Sequence, residues 1–199
     1  SIDNMKDVKA ISYDLSGLKE LDARIFDLEL FNLLSLSWDD AVTNGSIMKT
    51  LWEEKKLGLD EVAHTSIYID ESHRWVNAKK LYALDLLSIY LREGPKYFSN
   101  IWMASQSIRD YTPEGSTDDG IEKLKTIFEL TQYKFIFRQD RNAIPVIDRV
   151  FGNALMPRQR ERIPLYVRGQ TTMIISGDRT VDFKVYLSRE DEALFKGGA

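Results

Sequence analysis

The sequence predicts a three-layer α/β fold, in which a mainly parallel sheet carries helices on both faces and a C-terminal β-hairpin follows. Three observations support this prediction. Short β-favouring runs alternate with longer helical runs, as in parallel sheets whose crossover connections are helices. Apolar residues inside the helical runs recur three and four positions apart, which is the helical period. Near the end, two runs of alternating apolar and polar residues flank Gly177-Asp178-Arg179, which is typical of an antiparallel hairpin.

Composition predicts one folded domain and excludes several kinds of site. The 199 residues are 43% hydrophobic and 29% charged, which is ordinary for a globular protein. Whether the protein contacts DNA directly stays open. Because the net charge is -4, any such contact would be restricted to a local basic patch. The absence of cysteine excludes disulfides and thiolate metal sites. No apolar run is long enough to span a membrane, so we expect membrane association only through partners.

We expect a single domain with an α/β core at 1–169, a hairpin at 170–188 and a tail at 189–199. The chain has no initiator methionine, and we expect it to be a fragment truncated at its N-terminus. Its first apolar run, 8–15, predicts a strand that ends in a turn at Ser16-Gly17.

Helical periodicity then covers 21–42 on several faces, which predicts a long, well buried helix. Asn44-Gly45 is expected to end it, before a second, more polar helix at 47–56. The middle of the chain repeats a cycle of strand, loop and helix. The strands are predicted at 66–69, 101–104 and 133–137, and the helices at 81–91, 121–128 and 146–155. We expect all three strands to lie in the parallel sheet.

Two acidic residues follow the first strand of this cycle. The run Ser66-Ile67-Tyr68-Ile69 delivers Asp70 and Glu71 to the end of a buried strand, which has the form of a Walker B motif. Ligands of open parallel sheets bind beyond the carboxyl ends of the strands, so both carboxylates would face a nucleotide. Asp70 is predicted to bind magnesium, directly or through water, and Glu71 to orient and deprotonate the attacking water. The alternative is a strand that ends in a solvated acidic turn.

A glutamine follows the next predicted strand, which ends at Ala104 and continues into Ser105 and Gln106. The carboxyl ends of parallel strands meet at one edge of a sheet, so Gln106 would lie at the same rim as the two acids. There it could hydrogen-bond the γ-phosphate or the attacking water. The alternative is a loop or capping amide.

Several longer segments resemble one family. In order along the chain, they are similar to the Walker B, sensor and following segments of the TraC-type ATPases of conjugative type IV secretion. The similarity is greatest to versions carried by conjugative elements of Gram-positive bacteria. The segments are 69–74, 101–110, 128–135, 137–140 and 151–153, and the closing hairpin also fits.

The resemblance implies a RecA-like P-loop NTPase motor that binds ATP and Mg²⁺, with Asp70, Glu71 and Gln106 around the nucleotide. It implies a dimer or hexamer that works with other secretion components to energise conjugative DNA transfer. Its implied location is the cytoplasm, at the inner face of the bacterial membrane. The family also carries an upstream Walker A loop. No G-x-x-x-x-G-K-S/T string occurs in this sequence, so we expect the 199 residues alone to bind ATP poorly and to lack ATPase activity.

The chain departs from the family in the helix after the acidic pair. Relatives tend to read Arg-Glu-Ala-Arg-Lys-Tyr where this chain has 92–97, so Pro95 replaces an arginine. Gly94-Pro95 is expected to end the helix early. If the family uses that arginine across a subunit interface, Arg92 and Arg138 are the candidates to replace it, since guanidinium donors match phosphate oxygens. The alternative for both is an exposed arginine or an ordinary salt bridge.

Two other functions stay open: a DNA-pumping ATPase of the FtsK and HerA kind, and a non-catalytic docking module of the secretion machinery. The string 70–73 also matches the D-E-x-H box of superfamily-two helicases, but a second RecA-like domain does not fit in 199 residues. His64 and His73 lack metal-binding spacing. The basic run 158–168 is interpreted as a solvated or interface surface rather than a DNA site.

Overall fold

The computed structural model describes residues 9–18, 22–177 and 179–194 of the chain. The described helices and strands run in the order α1 (Ala23–Glu53), β1 (Thr65–Ile69), α2 (Leu81–Glu93), β2 (Ser99–Met103), α3 (Asp118–Leu130), β3 (Tyr133–Ile136), α4 (Ile144–Val150), α5 (Pro157–Arg162), β4 (Gln170–Ile175), β5 (Arg179–Lys184) and α6 (Arg189–Leu194). Single turns of 3-10 helix lie between them. This mixture of helices with a parallel and an antiparallel sheet confirms the predicted α/β class.

Helix α1 is one continuous helix where the sequence predicted two. The side chain of Asp22 caps it by accepting from the N–H of Arg24 at 2.9 Å. The predicted stop at Asn44-Gly45 is wrong, because Gly45 serves helix packing instead. A Cβ there would lie 2.2 Å from the carbonyl oxygen of Tyr97, so only glycine permits this close approach. The burial predicted for 21–42 is also wrong on the outer face of α1, where Leu28 and Leu36 are exposed.

The strand predicted at 8–15 is absent from its described part. Residues 9–15 have no regular structure, and Val8 lies outside the described residues. These residues make no ladder with β1 or with any other described strand. The predicted turn at Ser16-Gly17 is a 3-10 turn, Ser16–Leu18. Leu21, where the long helix was predicted to start, is likewise outside the described residues.

Strands β1 and β2 pair in parallel, with Ile67 opposite Ile101. Their inward side chains pack on a core built from α1, α2 and α3, to which Leu34, Leu87 and Leu124 contribute. Helix α2 ends at Glu93 and tightens into a 3-10 turn, Gly94–Tyr97, which confirms the stop predicted at Gly94-Pro95.

Strand β3 does not join the parallel sheet, and that prediction is wrong. It pairs antiparallel with β4, with Phe135 opposite Met173, and the hairpin of β4 and β5 completes a three-stranded sheet. Tyr133 and Phe135 are exposed, whereas Lys134 and Ile136 are buried. This alternation of exposed and buried residues is typical of an antiparallel sheet with one solvent-exposed face. The hairpin itself is confirmed; Asp178 of its turn and 195–199 of the predicted tail lie outside the described residues.

Two aromatic rings cover the outer face of the parallel pair. Tyr68 and Trp102, 74% and 47% exposed, stack with ring centroids 6.1 Å apart and planes 13° from parallel. A second core cluster lies under the antiparallel sheet around Ile147, Ile163 and Ile174, and partly buried Phe151 touches both clusters. Among the described residues, no helix is both long enough and apolar enough to cross a membrane.

Candidate functional site at the carboxyl ends of the parallel strands

The chain leaves β1 through a tight turn that begins with two carboxylates. Asp70 is exposed and follows the strand directly. Its Oδ1 accepts from the N–H of Glu71 at 2.9 Å. Glu71 has a left-handed backbone, with φ 48° and ψ 39°, which is uncommon for a residue with a Cβ. The turn brings Glu71 beside Gln106, which follows the neighbouring strand β2.

A buried serine fastens this turn to the end of β2. The N–H and the hydroxyl of Ser72 both donate to the carbonyl oxygen of Ala104, each at 2.9 Å. The Ser72 hydroxyl also lies 2.6 Å from that of Tyr111. Ser72 is 1% exposed and Tyr111 is 6% exposed. Burial raises the pKa of Tyr111, so its hydroxyl keeps its proton at neutral pH and can donate.

Glu71 and Gln106 are in direct contact, as expected for two residues at the same rim. The Nε2 group of Gln106 donates to Oε1 of Glu71 at 2.6 Å. The other carboxylate oxygen, Oε2, lies 3.3 Å from Nδ1 of His73. That nitrogen is also 3.0 Å from the hydroxyl of Ser105. Both oxygens of the predicted base are therefore held by neighbouring polar groups. His73 belongs to this polar cluster.

Gln139 was not singled out from the sequence, although it lies in the same network. Its Oε1 accepts from the N–H of Ile108 at 3.2 Å. Its Nε2 donates to the carbonyl oxygens of Gln106 and Arg138, each at 3.1 Å. The signal was present, since Gln139 follows the end of β3 just as Gln106 follows the end of β2.

The two candidate arginines lie in different places. Arg138 is exposed beside Gln139, and its side chain makes no hydrogen bond or ion pair with any described residue. Arg92 lies in the last turn of α2, where its Nε contacts the hydroxyl of Ser88 at 3.4 Å. The crossover from β1 to β2 brings this end of α2 to the start of β2, at the edge opposite the acidic pair. No described contact links Arg92 to Asp70, Glu71 or Gln106.

A cleft of about 520 Å³ opens beside the acidic turn. It lies between residues 11–15, α1 and β1, and Asp70, Glu71 and Arg74 line its polar end. The exposed carboxylate of Asp70 is a hard oxygen donor and fits magnesium, which binds one or two carboxylates and keeps water or phosphate as its other ligands. The described residues contain no group of three metal-binding side chains, so such an ion would depend on those further ligands.

The basic run 158–168 is largely paired with acidic side chains. Arg158 and Arg162 lie 3.7 and 3.4 Å from Asp182 of β5, and Arg160 lies 2.9 Å from Asp148 of α4. These ion pairs tie α5 to its neighbours. The interpretation of this run as a solvated or interface surface rather than a DNA site stays a prediction.

Comparisons with known proteins identify one sequence relative and solved structures with a similar fold. No family model matches the chain. It is 31% identical over 201 residues to an uncharacterized protein of Bacillus anthracis, and this match covers all of the chain and 31% of that protein. The structure of VirB4 of Thermoanaerobacter pseudethanolicus is similar to this chain, with a TM-score of 0.67 and 16% sequence identity. The match covers 90% of this chain and 42% of the VirB4 chain.

A viral protein is more distant. It is the genome packaging NTPase B204 from Sulfolobus turreted icosahedral virus 2, whose structure was solved in complex with AMPPCP. The TM-score is 0.44 and the sequence identity 12%, and the match covers 72% of this chain and 62% of the B204 chain. The chain therefore spans about a third of the length of its sequence relative and less than half of the VirB4 chain. It has the α/β fold of VirB4, as the sequence predicted.

Proposed function

We propose that this chain is the Walker B part of an ATP-hydrolysing motor that energises conjugative DNA transfer through a type IV secretion system. The observation that carries the proposal is the 2.6 Å contact of Glu71 with Gln106 at the carboxyl ends of two neighbouring parallel strands. The fold shared with VirB4 and the family resemblance of the segments 69–74 and 101–110 support it. The motor is proposed to work as a dimer or hexamer in the cytoplasm, at the inner face of the membrane, with other secretion components.

The reaction is in-line attack of water on the γ-phosphorus of ATP. A new bond forms between the water oxygen and phosphorus, the bond to the bridging oxygen breaks, and ADP leaves. Glu71 takes the proton of the water, and the amide of Gln106 can turn from the carboxylate towards the γ-phosphate. Asp70 would hold Mg²⁺, directly or through water, and the ion would neutralise phosphate charge when bound. Catalysis then rests on positioning and charge.

The phosphates need a further binding element, since this sequence has no Walker A string. We therefore assign hydrolysis to a longer polypeptide that carries these residues together with such a loop. Arg138 and Arg92 are proposed to act in trans, on the nucleotide of a neighbouring copy. Arg138 is the stronger candidate, because its side chain is exposed and unpaired among the described residues.

The test is Glu71→Gln in the longer polypeptide, with ATP turnover as the measurement. Loss of a general base should lower turnover about 100-fold to 10000-fold. Glu114→Gln is the matched control, because Glu114 is exposed and makes no hydrogen bond or ion pair with other described residues. Unchanged turnover in Glu71→Gln would overturn the proposal and favour a docking module. Turnover that rises strongly with added DNA would favour the DNA-pumping alternative.

A further inference from the structure

We propose that Gln139 is a positioning residue that holds the amide of Gln106 on Glu71 and links this pair to the antiparallel sheet. The inference rests on the proposed function of the pair and extends it to a residue outside the parallel sheet. Gln139 makes no hydrogen bond to Asp70 or Glu71 and acts through Gln106.

The contacts of Gln139 use its whole amide. Its oxygen accepts one hydrogen bond, from Ile108, and its nitrogen donates two, to the carbonyl oxygens of Gln106 and Arg138. An amide side chain carries two N–H donors, so both are engaged. The partners lie on two segments that are distant in sequence: the loop after β2 and the residues after β3. The side chain therefore joins these two segments at the rim.

This link matters because the described strands form two separate sheets. No backbone ladder connects β2 to β3. The loop after β2 is anchored on one side by Ser72, which holds Ala104, and on the other by Gln139, which holds Gln106 and Ile108. Without Gln139, the described hydrogen bonds between this loop and the residues after β3 are lost, and Gln106 can move. A displacement of about 1 Å is enough to break a 2.6 Å hydrogen bond.

The experiment uses NMR of the 199-residue chain and follows the side-chain amide of Gln106. In the unmodified chain this group should show a nuclear Overhauser contact to the side chain of Glu71. Gln139→Ala should abolish that contact and move the Gln106 amide signals towards unstructured positions. The Ile108 amide proton should exchange about 5-fold to 10-fold faster, as expected for one lost hydrogen bond. Gln132→Ala is the matched control, because Gln132 is exposed beside the other end of β3.

Gln139→Glu separates the two roles of the amide and keeps the side-chain shape. The carboxylate can still accept from Ile108 but cannot donate to Gln106. We expect slow exchange at Ile108 to persist while the contact between Gln106 and Glu71 is lost. A Gln106 amide that keeps its position in both variants overturns the inference.

Kinetics distinguish failure of this inference from failure of the proposed function. In the longer polypeptide, Gln139→Glu should lower kcat roughly 10-fold to 100-fold with KM unchanged, since a displaced Gln106 backbone misplaces the amide both for Glu71 and for the γ-phosphate. If Glu71→Gln abolishes turnover but Gln139→Glu leaves kcat unchanged, the motor proposal stands and the role of Gln139 is refuted. If Glu71→Gln leaves turnover unchanged, the motor proposal fails, while the NMR experiment still decides whether Gln139 positions Gln106.

Discussion

The buried pair of Ser72 and Tyr111 gives a quantitative test of how the acidic turn is held. Ser72→Ala removes the hydroxyl that bonds Ala104 and leaves the hydroxyl of Tyr111 without its 2.6 Å partner. An unsatisfied buried polar group costs about 1–3 kcal/mol. The carbonyl oxygen of Ala104 keeps the bond from the N–H of Ser72, so only the Tyr111 hydroxyl loses its partner and the lower part of that range applies. We expect a loss of about 1–2 kcal/mol, which lowers Tm by about 2–8 °C for a chain of this size.

A double-mutant cycle isolates the pair. Tyr111→Phe should cost about 1 kcal/mol, because Ser72 keeps its bond to Ala104. The double variant removes both hydroxyls, and its loss should fall short of the summed single losses by at least about 0.5 kcal/mol. Urea unfolding of the 199-residue chain measures each value. Tyr133→Phe is the control for hydroxyl removal, since Tyr133 is 46% exposed. Additive losses would refute the claim that this hydrogen bond fastens the turn.

Two further predictions concern stability. Gly120→Ala should destabilise the chain by at least about 2 kcal/mol, because the new Cβ would lie 1.9 Å from the carbonyl oxygen of Ala78. Gly17→Ala, with nothing within 4 Å, is its control, and equal thermal midpoints would contradict the packing described. Burial also raises the pKa of Tyr90 and Tyr111. Above pH of about 10 the unfolded chain loses tyrosine protons that the folded chain keeps, so the free energy of unfolding should fall. Tyr111→Phe should show a smaller fall between pH 8 and 11 in urea titrations, and an equal fall would contradict the burial of this phenol.

The elements around the acidic pair could be predicted because several local signals agree there. The runs that became β1 and β2 are apolar, short and followed by polar residues, and Gly94-Pro95 marks the end of α2. Parallel pairing of the two strands then brings Glu71 and Gln106 together without further information.

The errors arose where long-range packing decides the structure. Asn44-Gly45 is a local signal for the end of a helix. In the structure Tyr97 packs closely against Gly45, in the space that a side chain would otherwise fill, and the helix continues. Strand β3 has the same local character as a parallel strand. Its partner β4 lies about 35 residues later, and the alternation of buried Lys134 with exposed Phe135, typical of a sheet with one solvent-exposed face, is visible only in the structure. Gln139 was missed although it follows β3, because its partners Ile108 and Gln106 lie after β2, more than 30 residues earlier.

At Glu71, the left-handed backbone conformation lowers the stability of the fold, whereas the proposed chemistry requires the side chain. A side chain in this region costs roughly 1–2 kcal/mol relative to ordinary helical geometry, and glycine would escape most of that penalty. Selection for folding alone would therefore replace Glu71, whereas selection for hydrolysis would retain it. A laboratory evolution experiment that rewards thermal resistance only should lose this carboxylate early, while the surrounding fold improves.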